Sequence, residues 1–211
     1  EGPLRIRIVS PLVLLVLLGA ASAHAQEWMP PADSARCPSK WGAGDQRGSG
    51  NHMQADAVLR AMRLVRTGEV IELGHVLNPS IPIFGPRRFN LFTKRTSENS
   101  GVNRRGGNEE LIVSEITQVG TQLDGFTHQT IGDGLYNCFK MSDVASRDGF
   151  KEMGIEKVGS LITRGVLIDV AALKGVEHEL ADKRIYEFAF MMQPLTIQGA
   201  TGSPVVPIAI R

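Results

Sequence analysis

The stretch from Gln118 to His128, Q-V-G-T-Q-L-D-G-F-T-H, holds the densest set of side chains able to do chemistry in this chain. Side chains alternate faces along a strand, so an extended backbone here sends Gln118, Gly120, Gln122 and Asp124 to one side. Gly125 ends the strand, and His128 follows closely enough to reach back over the same face. The group then offers a carboxylate, two amide carbonyls and an imidazole. Carboxylate and carbonyl oxygens suit Mg, Mn or Ca better than zinc, and an imidazole that titrates near neutrality can take a proton from water. Each part also has a plainer reading. Asp-Gly is a common turn pair, the glutamines can be polar strand residues, and Phe126 and Tyr136 can fill a core as readily as they line an aromatic pocket.

The elements that must position these residues follow from periodicity and punctuation. Residues 26–52 are rich in Pro, Gly, Ser and charge, and read as an extended opening segment containing W-G-A-G-D-Q-R-G-S-G-N from Trp41 to Asn51. Val58, Ala61, Met62 and Val65 recur at helical spacing within Met53–Thr67, with Gly68 as the stop. A first strand over Glu69–Leu73 precedes a loop punctuated by Pro79, Pro82 and Pro86. Thr93–Glu110 is polar, carries Gly101, Gly106 and Gly107, and reads as a long mobile loop, with Asn103-Arg104-Arg105 in solvent. Leu111–Gln122 alternates as a strand. Ser142 is a candidate cap for a short helix over Asp143–Arg147. Gly165–Val170 reads as a buried strand from its β-branched run. Glu179–Lys183 is a helical turn at most, Ile185–Phe190 a strand, Gly199–Pro204 a loop and Val205–Ile210 a final strand. Strands interleaved with short helices predict an α/β or mixed domain with a sheet-rich core.

The spacing around Gln118 resembles H-x-G-T-H-x-D-x-x-x-H, the signature of the cyclase family, which includes kynurenine formamidases and isatin hydrolases. Gly120 and Thr121 match it unchanged. Further similarity lies in the Trp41 element, Asn108-Glu109-Glu110, Leu135-Tyr136-Asn137, R-G-V-L-I-D-V at Arg164, and G-A-T-G-S-P-V-V-P-I-A at Gly199. These elements look like the bacterial branch and cover nearly everything after residue 25. The resemblance implies a swivelling β/β/α domain with a mixed, barrel-like sheet, forming homo-oligomers. It implies a metal-dependent hydrolase of an amide or formamide bond, arylformamidase-like, acting on N-formylkynurenine or a related cyclic or aryl amide. By position, the metal ligands fall on Gln118, Gln122 and Asp124, and the general base on His128. Phe126, Tyr136 and His75, the last near the family's site entrance, would contact substrate.

Two departures bear on that expectation. Both motif histidines are glutamines here, so a divalent metal (Mn, Mg or Zn) should be held weakly. The family's chains are also usually longer, and this one passes from R-G-V-L-I-D-V-A-A-L-K-G-V, ending at Val176, almost directly into the terminal strands. That implies an internal deletion near 176–180, taking with it a His and a Glu that complete the family's ligand set. His178-Glu179 is a poor substitute, because adjacent residues point apart. The same departures motivate an alternative, a catalytically inactive relic or periplasmic small-molecule-binding module of the same fold.

The first 25 residues have the layout of a secretory signal: Arg5 and Arg7, the apolar run Leu12–Leu18, then Ala23-His24-Ala25 before Gln26. The run is too short for a bilayer, which needs about 20 residues. The expected product is a single domain over 26–211, periplasmic or secreted, with no membrane attachment after cleavage. Removing Glu1, Arg5 and Arg7 brings the 23 basic and 22 acidic residues to equal numbers, a balance that invites no nucleic acid. Cys37 and Cys138 enter an oxidising compartment, where they can pair if their Cα atoms approach closely enough, and they are not spaced as a zinc pair.

Overall fold

A computed structural model describes residues 28–97, 101–170, 172, 175 and 179–211. Residues 1–25, expected as a signal segment, and His178 lie outside the described residues. Ala32–Arg211 forms one compact unit. Among the described residues, no helix is long and apolar enough to cross a membrane.

Among the described residues the α-helices are short: α1 (Asp33–Arg36), α2 (Ala55–Met62), α3 (Met141–Val144) and α4 (Glu179–Asp182). Of the helical spacing read over Met53–Thr67, Val58, Ala61 and Met62 fall in α2, which buries Ala61 completely and packs against strand β5 (Leu161–Val166), while Val65 lies beyond its end. Strand β5 pairs with β6 (Glu187–Met192), β6 with β8 (Ile208–Ile210), and β8 with β1 (Val70–Glu72), giving a four-stranded sheet in the order β1-β8-β6-β5. Its core is Ile71, Leu180, Ile185, Phe188 and Ala209, with α4 supplying Leu180.

The architecture is mixed helix and strand, as expected, but the barrel-like mixed sheet is not found. Among the described residues every strand pair is antiparallel and the four-stranded sheet is open, with β1 and β5 at its edges. The edge position also corrects the buried strand read at Gly165–Val170. The strand stops at Val166, and Val166, Ile168 and Val170 are exposed, because a β-branched run reports strand propensity and not what covers it.

Three further corrections concern the chain around the site. Only the two ends of the expected loop over Thr93–Glu110 are corrected: Thr93–Ser97 and Gly107–Glu110 belong to an antiparallel ribbon, β2 (Phe89–Ser97) with β3 (Gly107–Ser114), while residues 101–106 between them are loop. Thr93 faces Glu110 and Lys94 faces Glu109, so both sides are polar there and no alternating apolar signal marks the strands. Strand β3 ends at Ser114 and does not run on to Gln122. Finally, Gly202–Pro204, read as loop, is β7, paired with β4 (Gln122–Asp124). The candidate cap Ser142 lies inside α3, where its amide and hydroxyl both donate to the Asp133 carboxylate.

Candidate active site

Asp124 is held by the C-terminal tail. In the β4–β7 pair Gln122 faces Pro204, Leu123 faces Ser203 and Asp124 faces Gly202. The pairing is continued on one side by the Gly125 amide on the Thr201 carbonyl (2.8 Å) and on the other by the Val205 amide on the Thr121 carbonyl (3.1 Å). Ser203 is fully buried, its hydroxyl accepting from the Leu195 amide and donating to the Pro204 carbonyl, so the tail strand is itself anchored. Immediately after β4 the chain reverses, with the His128 amide on the Gly125 carbonyl at 3.1 Å. Asp-Gly therefore does open a turn, and the turn is what carries His128 back to Asp124. The His128 Nε2 stands 3.8 Å from Asp124 Oδ2, with the imidazole 18% and the carboxylate 38% exposed.

Gln118 and Gln122 reach the same point by a different route from strand alternation. Residues 115–121 are irregular, and Gln118 and Gly120 take left-handed backbone angles, φ 60° and 68°. The loop doubles back because the Gln118 amide donates to Gln122 Oε1. Gln118 Nε2 then donates to Asp124 Oδ2 (3.3 Å), and Gln122 Nε2 donates to Asp124 Oδ1 (3.0 Å). Gln118 Nε2 also lies 3.4 Å from His128 Nε2. A carboxamide nitrogen can only donate, so this contact is a hydrogen bond only in the tautomer that leaves His128 Nε2 its lone pair.

Asp124 and His128 line a cavity of about 350 Å³ with Phe126, Gln129 and Tyr136. The Phe126 and Tyr136 rings are stacked, 4.2 Å between centroids and 14° between planes. His75 is exposed and lines a different cavity, with Leu77, Thr121 and Leu195; its amide donates to the Thr121 hydroxyl.

The opening segment builds the aromatic wall. Asp45 accepts from the Tyr136 hydroxyl (2.7 Å), Asn51 Nδ2 (2.6 Å) and the Gly48 amide (3.0 Å). Partial burial pulls its pKa up, but these bonds, with one from the Arg47 amide, outweigh that and hold it below the usual carboxylate range. Burial and the Asp45 carboxylate push the Tyr136 phenol up. Asn137 locks the two segments together, its amide nitrogen within bonding distance of the carbonyls of Gly42, Ala43 and Asp45 and its oxygen accepting from the Ser39 amide. Cys37 and Cys138 form a disulfide, with Cα atoms 5.8 Å apart. Asp45 belongs to the Trp41 element but was not singled out by sequence; its sole signal was membership of that motif. Gln129 carried no signal.

A divalent cation is the group the resemblance implies here, and the donor set can be tested for it. Among the described residues no three His, Cys, Asp or Glu side chains cluster as a metal site. The oxygens of Asp124, Gln118 and Gln122 fit a hard cation in kind. One carboxylate is a small charge complement, however, and both carboxamides present N–H toward Asp124, so each must turn its oxygen inward first. The set fits a weakly held, oxygen-coordinated ion.

Comparison with solved structures gives a crystal structure described as a novel cyclase, with a TM-score of 0.71 and 21% sequence identity over 82% of this chain and 98% of that one. This chain shares that protein's fold. Neither a family model nor a curated protein matches the sequence.

Proposed function

We propose that this chain is a cyclase-family, metal-dependent hydrolase of an amide or formamide bond, arylformamidase-like in its choice of N-formylkynurenine or a related aryl amide. One observation carries the reading: Gln118 and Gln122 converge on Asp124, and Asp124 and His128 line a cavity together with the stacked Phe126 and Tyr136. The shared fold supports it. An aryl group would lie against the aromatic wall with its amide toward Asp124 and His128. The His128 Nε2 lone pair takes a proton from the attacking water, and the nearby Asp124 carboxylate stabilises the imidazolium so formed. The same proton is then delivered to the departing amine. Asp124, with the carboxamides of Gln118 and Gln122 turned oxygen-inward, would hold a divalent cation, which would supply polarisation of the carbonyl and acidification of the water.

The disulfide supports an exported protein, periplasmic or secreted. Exposed Phe92, Leu111 and Ile112 on the β2–β3 ribbon support a homo-oligomer. Exposed Ile168 and Val170 beyond β5 support a deletion near 176–180.

The test is hydrolysis of N-formylkynurenine and formanilide by the purified chain with Mn or Mg added, beside His128→Ala. Turnover that falls about 10² to 10⁴-fold in the variant, with folding intact, is the expected result. No turnover with any added metal removes the reading. The carboxamide hydrogens facing Asp124 favour a second one, a small-molecule-binding module that needs no cation. It predicts aryl-amide binding without turnover, unchanged by chelator.

A further inference from the structure

Asp124, Gly125 and Phe126 line a second cavity besides the one that holds His128. It measures about 200 Å³ and is completed by Leu123 of β4, by Val158 and by Leu161 of β5. The two cavities therefore meet at Asp124, where the proposed site would place the carbonyl. Their linings differ in kind. The first carries His128, Gln129 and Tyr136, side chains that can all hydrogen-bond. The second sets aliphatic side chains in their place, with the exposed Ser49 beside them.

Arg47 also borders this second cavity, yet its cation is committed elsewhere. Its Nε donates to the Val158 carbonyl (2.8 Å) and its Nη2 to the Ser160 carbonyl (3.3 Å). The aliphatic stem is what remains as cavity wall. Gly50 makes room for that stem, because a Cβ there would stand 2.9 Å from Arg47 Cγ. Leu123, Phe126, Val158 and Leu161 are all half-buried, so each keeps apolar surface that a ligand can reach and cover. Size decides what can use the space. A formamide has only hydrogen on the acyl side of its carbonyl and would leave it to water. A dry cavity of about 150 Å³ lined by Leu, Ile and Phe takes up benzene, so this one admits a short hydrocarbon chain.

We propose that this cavity is an acyl subsite, and that the preferred substrate is the aryl amide of an aliphatic acid of about four carbons, not a formamide. The aryl group lies against Tyr136, the carbonyl at Asp124 and His128, and the alkyl chain beside Leu123, Val158 and Leu161. Hydrolysis breaks the C–N bond, the water's OH going to the acyl carbon and its other proton, through His128, to the arylamine. This rests on reading the Asp124–His128 site as an amide hydrolase, but the subsite can be tested without turnover.

Affinities of formanilide, propionanilide and butyranilide for the purified full chain are measured by calorimetry, beside their hydrolysis with Mn added. Each buried methylene strengthens binding about fourfold, so affinity should climb along the series by at least about tenfold in all. Leu161→Phe, which fills the cavity, should remove that gain and leave formanilide unchanged. Leu161→Ala, which enlarges it, should move the optimum from butyranilide to hexananilide. Flat or falling affinity along the series, no measurable binding of any anilide, or a gain that survives Leu161→Phe overturns the proposal. Should Leu161→Phe fail to fold, Leu161→Ala decides, and an optimum that stays at butyranilide overturns the idea. A chain that gains affinity with acyl length yet hydrolyses no anilide loses the hydrolase reading and keeps the apolar subsite. One that hydrolyses formanilide and gains nothing from added carbons loses only the subsite.

Discussion

The Tyr136 hydroxyl donates to the Asp45 carboxylate at 2.7 Å across 91 residues of chain. Tyr136 also stacks on Phe126, two residues from Asp124. A loop acid thus sets the wall of the cavity without lining it.

Because Asp45 is held below the ordinary carboxylate range, its contribution to stability is complete above the unfolded value, near pH 4. It is lost as pH falls through the depressed folded value. Asp45→Asn should lower unfolding free energy by about 1 to 2 kcal/mol at pH 7. The gap to wild type should narrow as pH falls below about 4. Urea melts of both proteins across that range check this, and a gap that widens on acidification contradicts it.

Gly48 sits at φ 56°, and a Cβ there would stand 2.6 Å from Phe126 Cζ. Gly48→Ala meets both a backbone penalty and a clash with the stacked ring. A loss of about 1 to 3 kcal/mol is expected. The near-ultraviolet circular dichroism of the aromatic pair should change as well; a variant with native spectrum and stability refutes the packing argument.

The disulfide closes a loop with a sequence separation of 101 residues and ties α1 to the turn at Tyr136–Cys138. Chain-entropy reasoning gives about 4 to 5 kcal/mol for a loop of that size. Reduction, or Cys37→Ser with Cys138→Ser, should lower Tm by roughly 10 °C. Calorimetry with and without reductant measures it, and a shift of only a degree or two would show that the arm is held without the bridge.

Gln118 and Gln122 satisfy Asp124 with amide hydrogens, so divalent metal should bind weakly. Gln118→His with Gln122→His replaces them by imidazoles that favour zinc. Histidine tolerates the left-handed backbone at position 118 better than most side chains. Titration should give zinc affinity raised at least about a hundredfold over wild type. Equal affinity would mean that these two positions do not face the ion.

The ribbon β2–β3 shows where local reading fails. Backbone pairing makes it, and with polar residues opposite each other at Thr93–Glu110 and Lys94–Glu109 its side chains carry no burial period. The helix at Ala55–Met62 was legible for the converse reason, since one of its faces packs on β5 and must repeat at 3.6 residues.

Sequence alone determined which residue types stand at Gln118, Gln122, Asp124 and His128, the short-range turn after Asp124, and the two cysteines available to pair. Those are properties of neighbours along the chain, settled by spacing and side-chain chemistry. Only the tertiary structure decided that Gln118 turns its donors onto Asp124 through a left-handed loop, that Asp45 holds Tyr136, and that Cys37 meets Cys138. The first depends on a backbone conformation that no alternating pattern encodes. The others join residues about a hundred positions apart, and which distant partners meet is fixed by packing of the whole chain.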